Sequence, residues 1–195
     1  MIRLVSAVFV MAFLAGLPAR AEPNDAPPIL NQRVIAELSL DDLFAKLREN
    51  ATSPAGARIE QEILRRFGRS GSATADLLMS WAVDAMEEKN YPLALDVLDQ
   101  IIVVKPDFAE AWNRRATVYY LIDDYGESLS DIRQTLALEP RHFGALAGFG
   151  MILKAMDRKE EAIRVLRRAL EINPRLDQVR ESLEELEKET EGNDI

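Results

Sequence analysis

The chain has 195 residues, close to half of them apolar, which suits a folded protein and not a disordered one. It carries 33 acidic against 24 basic residues, a formal net charge of -9. Such a balance argues against nucleic acid and anionic membrane surfaces as partners, because both need a positive face. With no cysteine and a single histidine, disulfide frameworks and the common zinc and thiol chemistries are excluded.

The N-terminus reads as a leader. Arg3 gives a basic start, Leu4 to Leu17 is an apolar run without charge, and Ala19-Arg20-Ala21 forms an A-x-A end. That order predicts a secretory signal peptide over 1–21, cleaved after Ala21. The run is shorter than the ~20 residues needed to span a bilayer, and no cysteine follows for lipid attachment. A retained leader acting as a membrane tether is the alternative. Without Arg3 and Arg20 the mature chain holds 22 basic against 33 acidic residues, a net of -11. Export without disulfides leaves burial alone to hold the fold, and a bacterial periplasm is the expected compartment.

Residues 22–38 are read as a Pro-rich linker, with Pro23, Pro27 and Pro28 at its start. Its end, Asn31 to Leu38, has apolar residues enough to dock, as helix or strand. Ser39 and Asp42 predict a helix start, followed by Leu40, Leu43, Phe44 and Leu47 on one face. Ile59, Ile63, Leu64 and Phe67 form the stripe of a second helix, stopped by Gly68 and Gly71.

Pro106, Pro140 and Pro174 then stand 34 residues apart. Between them lie pairs of amphipathic helices. Leu78, Trp81, Ala82 and Ala85 make an inner stripe, answered by Ala94, Leu98 and Ile101. Asp107 and Glu110 suggest a reciprocal cap for the next helix, in which Trp112, Ala116 and Tyr119 hold the offsets of W, G and Y in W-x2-L-G-x2-Y. Arg115 stands where that pattern has leucine. Leu146, Phe149, Gly150 and Leu153 repeat the offsets, followed by Ala162, Leu166, Ala169 and Leu170.

On these residues the chain resembles the tetratricopeptide repeat (TPR) family. The resemblance implies an all-α helix-turn-helix solenoid with three repeats (75–108, 109–142 and 143–174). A degenerate helix pair over 39–71 would cap the N-terminal end, and 175–195 would form a C-terminal capping helix with an acidic tail. It also implies a concave groove lined by the first helix of each repeat, open to a partner's peptide or helix. By register the groove positions are Met79, Ser80, Val83 and Met86 in the first repeat, and Glu110, Asn113, Arg114, Thr117 and Tyr120 in the second. In the third they are Gly144, Ala147, Gly148, Met151 and Lys154. Some members grip a C-terminal carboxylate here; the matching positions read Met79, Val83, Arg114, Gly144 and Gly148, with one basic residue, so that clamp is missing.

Other features bear on chemistry. His142 sits in a turn with no nucleophile or orienting acid marked out in the sequence, so a helix-entry role is expected. Asp123-Asp124 reads as turn and helix-start chemistry and not as a calcium site. Arg115 should point into the stack, with Asp131 as its partner. Gly144 and Gly148 inside a helix cost about 0.8–1.0 kcal/mol each relative to alanine, and the repeat pattern does not require them. Bare backbone above a methionine-lined floor suits the close approach of another chain. The expectation is a non-enzymatic protein-binding scaffold of the cell envelope, with no cofactor or metal. A membrane-tethered structural component and an accessory subunit of a cell-wall enzyme complex are the alternatives.

Overall fold

In a computed structural model, which describes residues 30–192, the described chain forms ten helices. A short α1 (Gln32–Glu37) precedes the pair α2 (Leu40–Glu49) and α3 (Pro54–Phe67). Three hairpins follow: α4 (Ala73–Glu87) with α5 (Tyr91–Val104), α6 (Ala109–Leu121) with α7 (Tyr125–Leu138), and α8 (Phe143–Ala155) with α9 (Lys159–Ile172). The last helix, α10 (Asp177–Gly192), packs on α9. The expected all-α solenoid of helix-turn-helix repeats is what forms. The predicted leader lies outside the described residues, and no helix among those described is long and apolar enough to cross a membrane.

The three hairpins turn in the same way. Lys89, Asp123 and Asp157, again 34 residues apart, adopt positive φ of 59°, 61° and 58°. The next amide then reaches back to the helix before it, Asn90 to Ala85, Asp124 to Tyr119 and Arg158 to Leu153. This left-handed closure satisfies carbonyls that a helix end would otherwise leave bare. Asp124 then caps α7 by accepting from the Glu127 amide, the helix-start role expected of it.

Stacking is equally periodic. Gly150 makes room for the next helix: a Cβ there would lie 2.3 Å from Leu166 Cδ2, and that buried side chain would have to shift. Arg115 does turn inward, its guanidinium forking onto Asp131 at 2.7 and 2.8 Å and reaching Asp99 at 2.6 Å, with the Trp112 ring 5.0 Å below. A buried carboxylate thus meets a cation that α5, α6 and α7 share. Trp112 itself is only partly buried, its indole N–H donating to the Pro106 carbonyl at 2.9 Å.

Several expectations need correction. Trp81 is not an inner residue; it is 53 % exposed. Residues 31–38 are not all linker, because Asn31 caps α1 and Ile35 is fully buried. Asp107 pairs with Lys105 instead of capping, and Phe108 stands at the N-cap position of α6 with no side-chain cap. Ser39 does cap α2.

The largest difference concerns α2 and α3. Their apolar residues, Leu43, Phe44, Leu47, Ile59 and Ile63, join one core with Phe143, Leu146, Leu166, Ile172 and Val179 of the last repeat and α10. The first repeat builds a separate core. The pair therefore does not cap α4. Its polar latches show why: Arg141 reaches Asp41 at 2.6 Å and lies over Phe44, while Arg175 binds Glu60 at 3.0 Å and the Ala51 carbonyl at 2.6 Å. Arg141 and Arg175 follow successive repeat prolines; the first repeat has Asp107 at that place and offers no such hand.

Candidate functional site

The first helices of the second and third repeats face each other across a hollow of about 100 Å³. Asn113, Ala116, Thr117 and Tyr120 line it from α6, Gly144, Ala145, Gly148 and Ile152 from α8, with Ser128 and Ile132 of α7 at its base. A second hollow of about 180 Å³ lies between α8 and α10, lined by Ala147, Gly148, Met151, Gln178, Val179 and Ser182. Gly148 borders both. Each is smaller than the ~300–1,000 Å³ usual for a small-molecule site, and each has the scale of a socket for a side chain.

Gly148 has no structural need to be glycine. The nearest atom to a Cβ added there would be Ile132 Cδ1 at 3.9 Å, an ordinary contact. Gly144 is similar, with His142 Cε1 at 3.4 Å. Both leave helix backbone bare toward open space, at a cost in helix propensity that neighbouring packing does not explain. Tyr120 forms the far wall, its ring stacked on Tyr125 at 5.9 Å.

Other groove positions behave differently. Met79 is buried to 8 % exposure and belongs to the core of the first repeat, while Val83 and Met86 keep partial exposure beside it. Asn113 and Arg114 both donate to Glu110, at 3.2 and 2.6 Å, so the one basic residue at the clamp positions is already engaged. Lys154 is likewise paired with Glu185 across to α10.

Glu110, read from the sequence as a cap residue and a groove position, is instead a buried hub. It also meets His142 Nε2 at 2.9 Å. Burial pushes its carboxyl up, but the hydrogen bond from His142 and the charge of Arg114 outweigh that and hold it below the ordinary value. His142 Nδ1 accepts the Ala145 amide at 3.1 Å, capping α8, so the proton sits on Nε2 and points at Glu110. Phe67 stacks on the imidazole at 4.7 Å. An orienting acid is thus present, yet both nitrogens are committed and the ring is buried, an arrangement for structure and not for proton transfer. The spacing of Glu110 and His142, two residues short of a full repeat, was the available signal. Among the described residues no group of three acidic or histidine side chains could hold a metal.

Comparison with known proteins agrees with this geometry. A family model described as tetratricopeptide repeat matches residues 144–176. A TPR repeat-containing protein of Rhizobium etli is 39 % identical over 194 residues, spanning 97 % of this chain and 95 % of that protein. Among solved structures, the first TPR of Spaghetti (RPAP3) bound to the HSP90 peptide SRMEEVD superposes with a TM-score of 0.58 at 21 % identity, over 60 % of this chain and 94 % of that one. MamA superposes with a TM-score of 0.55 at 16 % identity, over 80 % of this chain and 81 % of its own. At these identities the two structures speak for the fold alone.

Proposed function

Since this chain belongs to the tetratricopeptide repeat proteins, we propose that it is a binding scaffold without chemistry of its own, whose groove along α6, α8 and α10 holds a peptide or helix of another protein. Gly148 carries the reading. It stands between two side-chain-sized sockets, it costs helix stability, and nothing inside the protein requires it. A guest backbone passing over Gly144 and Gly148 can place one side chain against Tyr120, Thr117 and Ile132 and another against Ala147, Met151 and Val179.

The RPAP3 domain holds an acidic peptide. In this chain Arg114 is spent on Glu110, and the corresponding third-repeat positions are glycine. The proposed guest is therefore recognised by apolar side chains and close backbone contact, not by a terminal carboxylate. The leader read from Arg3, Leu4–Leu17 and Ala19–Ala21 supports a periplasmic setting for this activity, as part of the cell envelope.

The test separates folding from binding. Gly148→Ala should raise thermal stability, by up to ~1 kcal/mol, and at the same time abolish crosslinking of partner proteins from a photoreactive residue at position 120. A variant that loses stability, or that is crosslinked as well as the parent, removes the proposal.

A further inference from the structure

Among the described residues, nothing fills the stacking place at the solenoid's first helix. Three positions of each repeat's first helix pack against the helix before it, and they recur at 34-residue intervals. At the first of them Ala111, Ala145 and Val179 are 0, 1 and 7 % exposed, and their counterpart Leu77 is 53 % exposed. At the second, Arg115 lies among α5, α6 and α7, Phe149 is partly buried, Leu183 is 8 % exposed, and their counterpart Trp81 is 53 % exposed. At the third, Val118, Ile152 and Leu186 are all fully buried; the counterpart is Asp84, a carboxylate outside the core. The later helices are covered by α5, α7 and α9. The pair α2–α3, which precedes α4 in the chain, is latched to the other end of the molecule.

We infer that this stripe of α4 docks a helix of a partner protein, one that presents apolar side chains to Leu77 and Trp81 and a lysine or arginine to Asp84. The shape of the occupant follows from the repeat: what covers the equivalent stripes of α6, α8 and α10 is in each case a helix of 14 residues. The charge of the occupant follows from the rim. Asp76, Asp84 and Glu87 lie on α4, Glu88 closes it, and α4 has no basic residue. Arg115 facing Asp99 and Asp131 shows the same stacking place accepting an ion pair one repeat later. A second copy of the chain fits poorly, because a two-fold contact centred on Trp81 sets Asp84 against the partner copy's apolar stripe with no cation to meet it. The C-terminal end offers no apolar complement either: Val179, Leu183 and Leu186 of α10 are buried, and its outward side carries Glu181 and Glu184.

The chain has two tryptophans, so Trp112→Phe leaves Trp81 as the sole reporter. The probe is a synthetic amphipathic helix of leucines with one lysine placed to face Asp84, compared with the same peptide carrying glutamate there. The lysine peptide should move Trp81 emission to shorter wavelength and bind at least ~tenfold more tightly than the glutamate peptide. Asp84→Lys, which lies outside the apolar cores and leaves them intact, should reverse that preference, and Leu77→Glu should abolish binding of both. An unchanged emission, a preference that Asp84→Lys leaves in place, or concentration-dependent dimerisation in the ultracentrifuge that Leu77→Glu removes would each overturn the inference.

Discussion

The two ends of this solenoid are finished by opposite means. At the C-terminal end, α10 buries Val179, Leu183 and Leu186 and turns a row of glutamates outward, while α2 and α3 brace it from the side. At the N-terminal end, α4 leaves Leu77 and Trp81 in water. A repeat stack needs a polar outer face to stay soluble and closed; here one end has it and the other keeps an apolar stripe. The difference teaches that the preceding helix pair in a repeat chain need not be the preceding layer in space.

Mutations can sharpen or break this contrast. The largest effect is expected at the closed end: Leu186→Ala should cost about 2–5 kcal/mol in denaturant unfolding, since the side chain is fully buried. If it costs no more than a surface change, the closed end is not closed. Asp131→Ala in the middle of the stack should cost about 3 kcal/mol, because Arg115 keeps only its exposed partner Asp99. Arg175→Ala should cost about 1.5–3 kcal/mol and loosen α2–α3 before the repeats, seen as faster amide exchange in 40–67 with little change in 91–138.

Acid provides a further lever on the brace. Arg65 hydrogen-bonds Glu62 and, against the cost of burial, lowers its carboxyl to about 2 with help from Arg66. A carboxylate depressed in the folded state stabilises above its ordinary value of 4.5 and loses that contribution as pH falls toward 2. Glu62→Gln should therefore flatten the pH dependence of unfolding over that window. The smallest effect is expected at the open end, where Leu77→Ala should shift stability by no more than ~0.5 kcal/mol. A large loss there would mean that α4 is covered after all.

Much of the repeat architecture could be read from residue spacing. The proline interval and the small residue Gly150 follow from local rules that recur at a fixed offset, and the Arg115–Asp131 pair follows from a charge standing where the pattern has an inward leucine. Placement of α2–α3 could not be read, because it depends on pairs such as Asp41–Arg141 and Glu60–Arg175, 100 and 115 residues apart. Trp81 misleads for a related reason: its offset predicts burial only if a helix precedes it in space. At the groove, register alone reaches Gly144, Gly148, Thr117 and Tyr120, and they do line one hollow. Register puts Met79 there as well, yet it is buried in the core of the first repeat.

Repeat arrays ordinarily tolerate loss or gain of a unit, because each layer speaks only to its neighbours. The reach of Asp41 to Arg141 and of Glu60 to Arg175 removes that freedom. With early and late segments fastened together, deleting a hairpin in the middle would pull the fastening out of register by a whole layer. The placing of the last layers is thereby constrained, and contacts of such sequence separation should slow refolding relative to an open array of the same length.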